Sequence, residues 1–88
     1  MQDQKYRKVF IDVYVMMRKD GTLLPKSFLW EDGEKYHIDK VIQITSAASL
    51  KVGGRGMRYT VKIGGAERYM FLEENRWFVE ARVLSSET

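Results

Sequence analysis

Apolar side chains recur at every second position through most of this chain, which is the period of a β-strand and not of a helix. Val9, Ile11, Val13, Val15 and Met17 alternate with Phe10, Asp12, Tyr14 and Met16. Both sets are largely apolar, so this first strand is expected to be covered on both faces. Lys19-Asp20-Gly21 reads as a turn, and Pro25, lacking a ladder donor, begins or borders the next strand. Phe28-Leu29-Trp30 leads into Glu31-Asp32-Gly33, where Asp-Gly between two β-type runs signals a hairpin. Lys35 to Thr45 is one extended run with a bend at Asp39-Lys40. Ser46 to Gly56 combines small residues with three glycines and reads as a loop, its first part a helical turn capped by Ser46. Met57 to Ile63 alternates cleanly, Gly64-Gly65 turns the chain, and Glu67 to Leu72 and Arg76 to Leu84 are the last strands.

Turn signals near residues 20, 32, 55, 64 and 75 separate short strands at the spacing of an all-β domain. The expected fold is a small antiparallel barrel of five to six strands, SH3-like or OB-like, with at most one short helical turn near residues 46–50. Closure would hide the edges that a flat sheet of this size exposes. At 88 residues the chain is expected to be one domain, residues 1–88, with an ordered core over about 8–84 and frayed ends. A hydrophobic content of 44% argues against a disordered chain. There is no cysteine, so neither disulfides nor thiolate-bound zinc can staple it. The N-terminus has no apolar run of the signal-peptide kind, and Val9 to Met17 is too short to cross a bilayer. A cytoplasmic protein with no membrane contact is the expectation.

Charge adds a second layer. Between Asp39 and Glu67 there is no acidic residue, while Lys40, Lys51, Arg55, Arg58 and Lys62 give the interval +5 in a chain whose net charge is +3. At its centre Lys51, Gly53, Gly54, Arg55, Gly56 and Arg58 form a basic, glycine-bearing stretch. Bare backbone N–H groups and cationic tips can both face a phosphate, so this is the candidate anion site. It is not a Walker A loop, because no Gly-Lys-Ser/Thr follows the glycines. The competing reading is a solvated surface loop.

Hairpin register decides where the aromatics go. With a two-residue type I′ turn at Gly64-Gly65, paired residues have numbers summing to 129. Lys62 then faces Glu67, Thr60 faces Tyr69 and Arg58 faces Phe71. One face mixes cations with rings, the arrangement by which single-strand binders stack bases and track phosphates. A three-residue loop shifts the sum to 130 and packs Tyr59, Val61, Tyr69 and Phe71 into one core. Paired glycines suit the type I′ positions, which favours the first register; a barrel that buries both faces of a bent strand would still make Tyr69 and Phe71 core.

The other candidates carry less. Trp30, Tyr36, Trp77 and Phe78 read as core. His37 and Asp39 share a strand face, but no nucleophile accompanies them, and the chain reads as no enzyme. Glu31, Asp32 and Glu34 crowd a turn that offers a metal too few converging oxygens. Neither metal nor cofactor is expected. Glu73, Glu74 and Glu80 are expected to balance Arg76 and Arg82 across a hairpin.

The segments Trp30-Glu31-Asp32-Gly33 with Tyr36, Ile38 and Asp39, then Ala47 to Lys51 with Gly53, Gly54, Gly56, Arg58 and Tyr59, and Arg76-Trp77-Phe78-Val79-Glu80 together carry a resemblance. They resemble a family of small uncharacterised bacterial proteins over about residues 9 to 82. The resemblance implies a gene neighbourhood of Y-family translesion DNA polymerases, and so a role near DNA repair, but no catalytic residues. Residues and resemblance together point to a non-catalytic nucleic-acid-binding module. Its site would be Lys51, Gly53, Gly54, Arg55, Gly56, Arg58, Lys62 and Tyr69, with DNA or RNA as partner. The alternative is a protein-interaction or accessory module, for example for a translesion polymerase, with no nucleic-acid contact. Exposed aromatics and methionines would favour it.

Overall fold

The computed structural model describes residues 6–48 and 55–82, and of Ala47, Ala48 and Arg55 the backbone alone. The described residues form seven β-strands and no helix: β1 (Tyr6–Met17), β2 (Leu23–Leu29), β3 (Lys35–His37), β4 (Lys40–Ala48), β5 (Arg55–Ile63), β6 (Ala66–Glu73) and β7 (Arg76–Arg82). They make one antiparallel sheet in the order β3-β2-β1-β7-β6-β5-β4.

Two elements differ from the expectation of five to six strands. The run Lys35 to Thr45 is two strands, because Ile38 and Asp39 leave the ladder at the foreseen bend. Ser46 to Ala48 are not helical; they continue β4, with Ala47 opposite Gly56 and Ala48 opposite Arg55. Cross-strand pairing outweighs the weak helical preference of a small-residue stretch. The expected loop from Ser46 to Gly56 therefore shrinks at both ends to residues 49–54, which lie outside the described residues.

The curl of the sheet follows from its connectivity. β3 and β4 are its two edges, yet only Ile38 and Asp39 separate them in sequence. Three peptide steps span at most about 11 Å. The outer strands of a flat seven-stranded sheet would sit six spacings apart, roughly 29 Å. The sheet must therefore roll into a half-barrel. Backbone bonds secure the joint on both sides: Ile38 N–H donates to Lys26 O at 2.9 Å and Asp39 N–H to Lys62 O at 2.8 Å. The Tyr59 hydroxyl reaches across the interior to donate to Leu23 O at 2.7 Å.

Turn chemistry sets the local bends. Lys19-Asp20-Gly21 and Glu31-Asp32-Gly33 repeat one device. Each ends on a glycine at positive φ, and each aspartate accepts the N–H two residues on, from Thr22 and Glu34, both at 2.9 Å. That bond from Thr22 is the main reason Asp20 titrates below its usual value. At Gly64-Gly65 both φ angles are positive, 57° and 84°, as a type I′ turn requires. Pro25 lies within β2, where the pairing jumps from Tyr14↔Ser27 to Val15↔Pro25. Lys26 is the extra residue, and the bulge accommodates the proline. Ile42 is the corresponding extra residue in β4.

The interior face carries the main core: Phe28, Ile38, Tyr59, Val61, Met70 and Trp77, flanked by Ile11, Val13, Val41, Ile44 and Leu72. β1 was expected to be covered on both faces. Its first half pairs with β7 and buries Val9, but Tyr14, Val15, Met16 and Met17 are exposed on a half that pairs only with β2.

Candidate nucleic-acid interface

Hairpin register decides which side chains the outer face of the sheet presents. β5 and β6 pair with residue numbers summing to 129: Lys62↔Glu67, Thr60↔Tyr69 and Arg58↔Phe71. The two-residue turn is thus the one adopted. Met57, Tyr59, Val61 and Ile63 point inward with Met70 and Leu72, and Arg58, Thr60 and Lys62 point outward with Tyr69 and Phe71.

Across the strands these outward residues fall into rows. One row runs Thr45, Arg58, Phe71, Phe78 and Phe10 from β4 to β1. Its rings form a small second core. Phe71 stacks on Phe78 at 5.1 Å and 9°, and Phe10 meets Phe78 edge-on at 5.7 Å. Phe71 is only 5% exposed and Phe78 1%, so of the two readings open for Phe71, binding face or core, the structure adopts the core. Cations roof the cluster. Lys8 Nζ lies 4.8 Å from the Phe78 ring centroid and bonds Glu73 Oε1 at 2.8 Å, and the Arg76 guanidinium lies 3.8 Å from the Phe10 ring. Glu73 therefore has its ion pair with Lys8, although its cross-strand neighbour is Arg76.

The next row, Gln43, Thr60 and Tyr69, is open at its end. Tyr69 is 54% exposed, and the Arg58 guanidinium stands 4.8 Å from its ring centroid. Arg58 Nε is buried without a hydrogen-bond partner. An orphaned donor on a charged group costs more than a neutral one, and the ring offsets only part of that cost. Beyond it, Lys40 and Lys62 sit directly opposite each other, with Glu67 on the far side of Lys62. Like charges facing across a ladder are mutually destabilising. Both features place positive side chains on one side of β4 and β5, with Glu67 the acidic cross-strand neighbour of Lys62.

Of the candidate site residues, Arg58, Lys62 and Tyr69 share this outer face. Gly56 has a different task. A Cβ there would collide with the Leu72 carbonyl oxygen and lie 3.1 Å from Glu73 Cα, so the glycine lets β5 and β6 approach. That packing role stands beside its expected part in a phosphate cradle. The backbone of Arg55 lies in β5, while Lys51, Gly53 and Gly54 fall outside the described residues. Lys8, Arg76 and Lys40 were missed as outer-face cations, since only the pairing of β1 with β7 and of β4 with β5 brings them there.

Asp39 and Tyr59 hold structure. Asp39 Oδ2 accepts the Gly64 N–H at 2.9 Å and ties the β5–β6 turn to the β3–β4 joint. Burial raises the Tyr59 hydroxyl above the usual tyrosine value of 10.0. Among the described residues no three histidine, aspartate or glutamate side chains gather to hold a metal, and no helix is long and apolar enough to cross a membrane.

No family model, curated protein or solved structure matches the chain.

Proposed function

We propose that this chain is a non-catalytic nucleic-acid-binding module, a small β-barrel of the SH3-like or OB-like kind that holds a single strand across β4, β5 and β6. One observation carries the reading: Arg58 stands against the half-exposed ring of Tyr69 with its Nε unsatisfied. Tyr69 offers a base a π-face to stack on. A phosphate oxygen that draws the guanidinium outward satisfies the orphaned donor, and Lys62 and Lys40 continue the positive track along the same face. Arg55 and Lys51, which precede Arg58 in sequence, would extend it. The resemblance to a bacterial family near translesion polymerases is in keeping with a cytoplasmic role in DNA repair.

Fluorescence anisotropy with labelled single- and double-stranded oligonucleotides tests this at low and moderate salt. Single strands should bind more tightly, and affinity should fall steeply with salt. Arg58→Gln should lower the salt slope by about 0.7 on single strands. Tyr69→Ala should cost roughly 1–3 kcal/mol with the slope unchanged. Absence of binding at low salt sinks the proposal.

A specific observation favours a second reading, a protein-interaction module. Tyr14, Val15, Met16 and Met17 make an exposed apolar end on β1, with Met17 68% exposed. Capture of a defined host partner that Met16→Lys with Met17→Lys abolishes, together with no oligonucleotide binding, would establish it instead.

A further inference from the structure

The β6–β7 ladder is short. It runs from Glu73↔Arg76 to Phe71↔Phe78 and stops there. β6 continues along β5 and β7 along β1, so the sheet forks just beyond that pair. A cavity of about 320 Å³ lies in the fork, lined by Arg68 and Met70 of β6, Val79 of β7, and Phe28, Trp30 and Tyr36 from the β2–β3 hairpin. Tyr69 and Ile63 complete the lining. That volume falls at the lower end of small-ligand sites.

The walls restrict what enters. Phe28 and Tyr36 stack on each other at 5.6 Å and 29°; Phe28 is buried, and half-buried Trp30 and exposed Tyr36 leave aromatic surface in the lining. Arg68 is the only charged residue in the lining, and it is exposed. Flat rings with a lone cation suit a planar heteroaromatic group that carries a negative charge. Tyr69 joins this cavity to the outer face: it belongs to the lining, and its ring stands against Arg58. Arg58 and Arg68 thus flank one strand from opposite faces. A phosphodiester crossing β6 would pass between two guanidinium groups.

We propose that the fork between β6 and β7 is a nucleobase pocket, which takes one unstacked base of the single strand whose neighbour stacks on Tyr69. This rests on the nucleic-acid-binding reading and extends it. The strand crosses from the outer face to the interior at Tyr69. Its base enters between Trp30, Tyr36 and Met70, and Arg68 holds the adjoining phosphate. Aromatic pockets of this kind take bases most readily from unpaired nucleic acid, because a duplex must first be unstacked and unpaired at a free-energy cost.

Photo-crosslinking of the full chain to a single-stranded oligothymidylate carrying 5-bromodeoxyuridine tests the proposal, with adducts mapped by peptide mass spectrometry. Adducts are expected at Trp30 or Tyr36 as well as at Tyr69. Tyr36→Ala should weaken the intact strand by about tenfold, yet leave the affinity of a strand of abasic residues unchanged. Arg68→Gln should weaken both. Salt-dependent binding with adducts at Tyr69 alone, or equal losses on intact and abasic strands in Tyr36→Ala, overturns the pocket and leaves the outer-face reading standing. Absence of both binding and adducts overturns the two together. Circular dichroism on each variant separates a lost contact from a lost fold.

Discussion

Replacing Gly56 with alanine separates packing from binding at a residue that its sequence context assigns to an anion site. The added methyl collides with the backbone carbonyl oxygen of Leu72, and Glu73 Cα lies 3.1 Å away. Both obstacles are backbone, so no side-chain rotation relieves them. Overpacking of this sort costs about 1–3 kcal/mol. Alanine also restricts the unfolded chain, which offsets about 0.4–1 kcal/mol. The net expectation is a loss of roughly 1–2 kcal/mol. For a domain of this size that is about 4–16 °C in Tm. Thermal and urea unfolding at pH 7, with wild type alongside, measure it. Oligonucleotide affinity taken well below the lowered Tm should change less than threefold. An unchanged or raised Tm refutes the close approach of β5 and β6. Unchanged stability with lost affinity would return Gly56 to the binding site.

Tyr59→Phe should cost about 0.5–1.5 kcal/mol, because it removes the bond to Leu23 O that holds β5 to β2 across the interior. It should also flatten the alkaline limb of the pH profile. The folded hydroxyl titrates above 10.0, so its stabilisation is complete below pH 10 and is lost as pH rises past 10 toward the folded value. Urea midpoints between pH 8 and 11.5 for both proteins check this, and parallel limbs would contradict it. Phe78→Ala should cost about 3–5 kcal/mol and lower Tm by about 12–40 °C, since Phe78 anchors the outer ring cluster at 1% exposure. A small loss in circular dichroism melts would mean that this cluster carries little of the stability.

The strands were legible wherever a two-residue alternation met a turn whose chemistry is local. Asp20-Gly21 and Asp32-Gly33 bend the chain through their own φ angles and side-chain bonds, and Gly64-Gly65 through its two positive φ angles, with Asp39 adding one bond from a distance. The register of β5 and β6 followed from the same turn. Ser46-Ala47-Ala48 misled because small residues pair in a strand as readily as they start a helix, and only the partner strand chooses. Arg58 and Tyr69 were readable as cross-face neighbours, since hairpin register is short-range arithmetic. The cavity beside Tyr69 was not, because its walls come from β2, β3, β6 and β7.

By itself, the sequence determined the all-β class, most of the turns and the cationic interval, and it favoured without fixing the pairing that sets Arg58 and Lys62 on one face with Tyr69. Tertiary structure alone decided three things. It rolled the sheet so that β3 and β4 became its two edges. It closed Phe71 into a second core under the outer-face cations. It forked the sheet between β6 and β7. The physical reason is range. Turns and alternation are fixed within a few residues, whereas burial depends on strands that are distant in sequence but become neighbours only when the whole sheet curls.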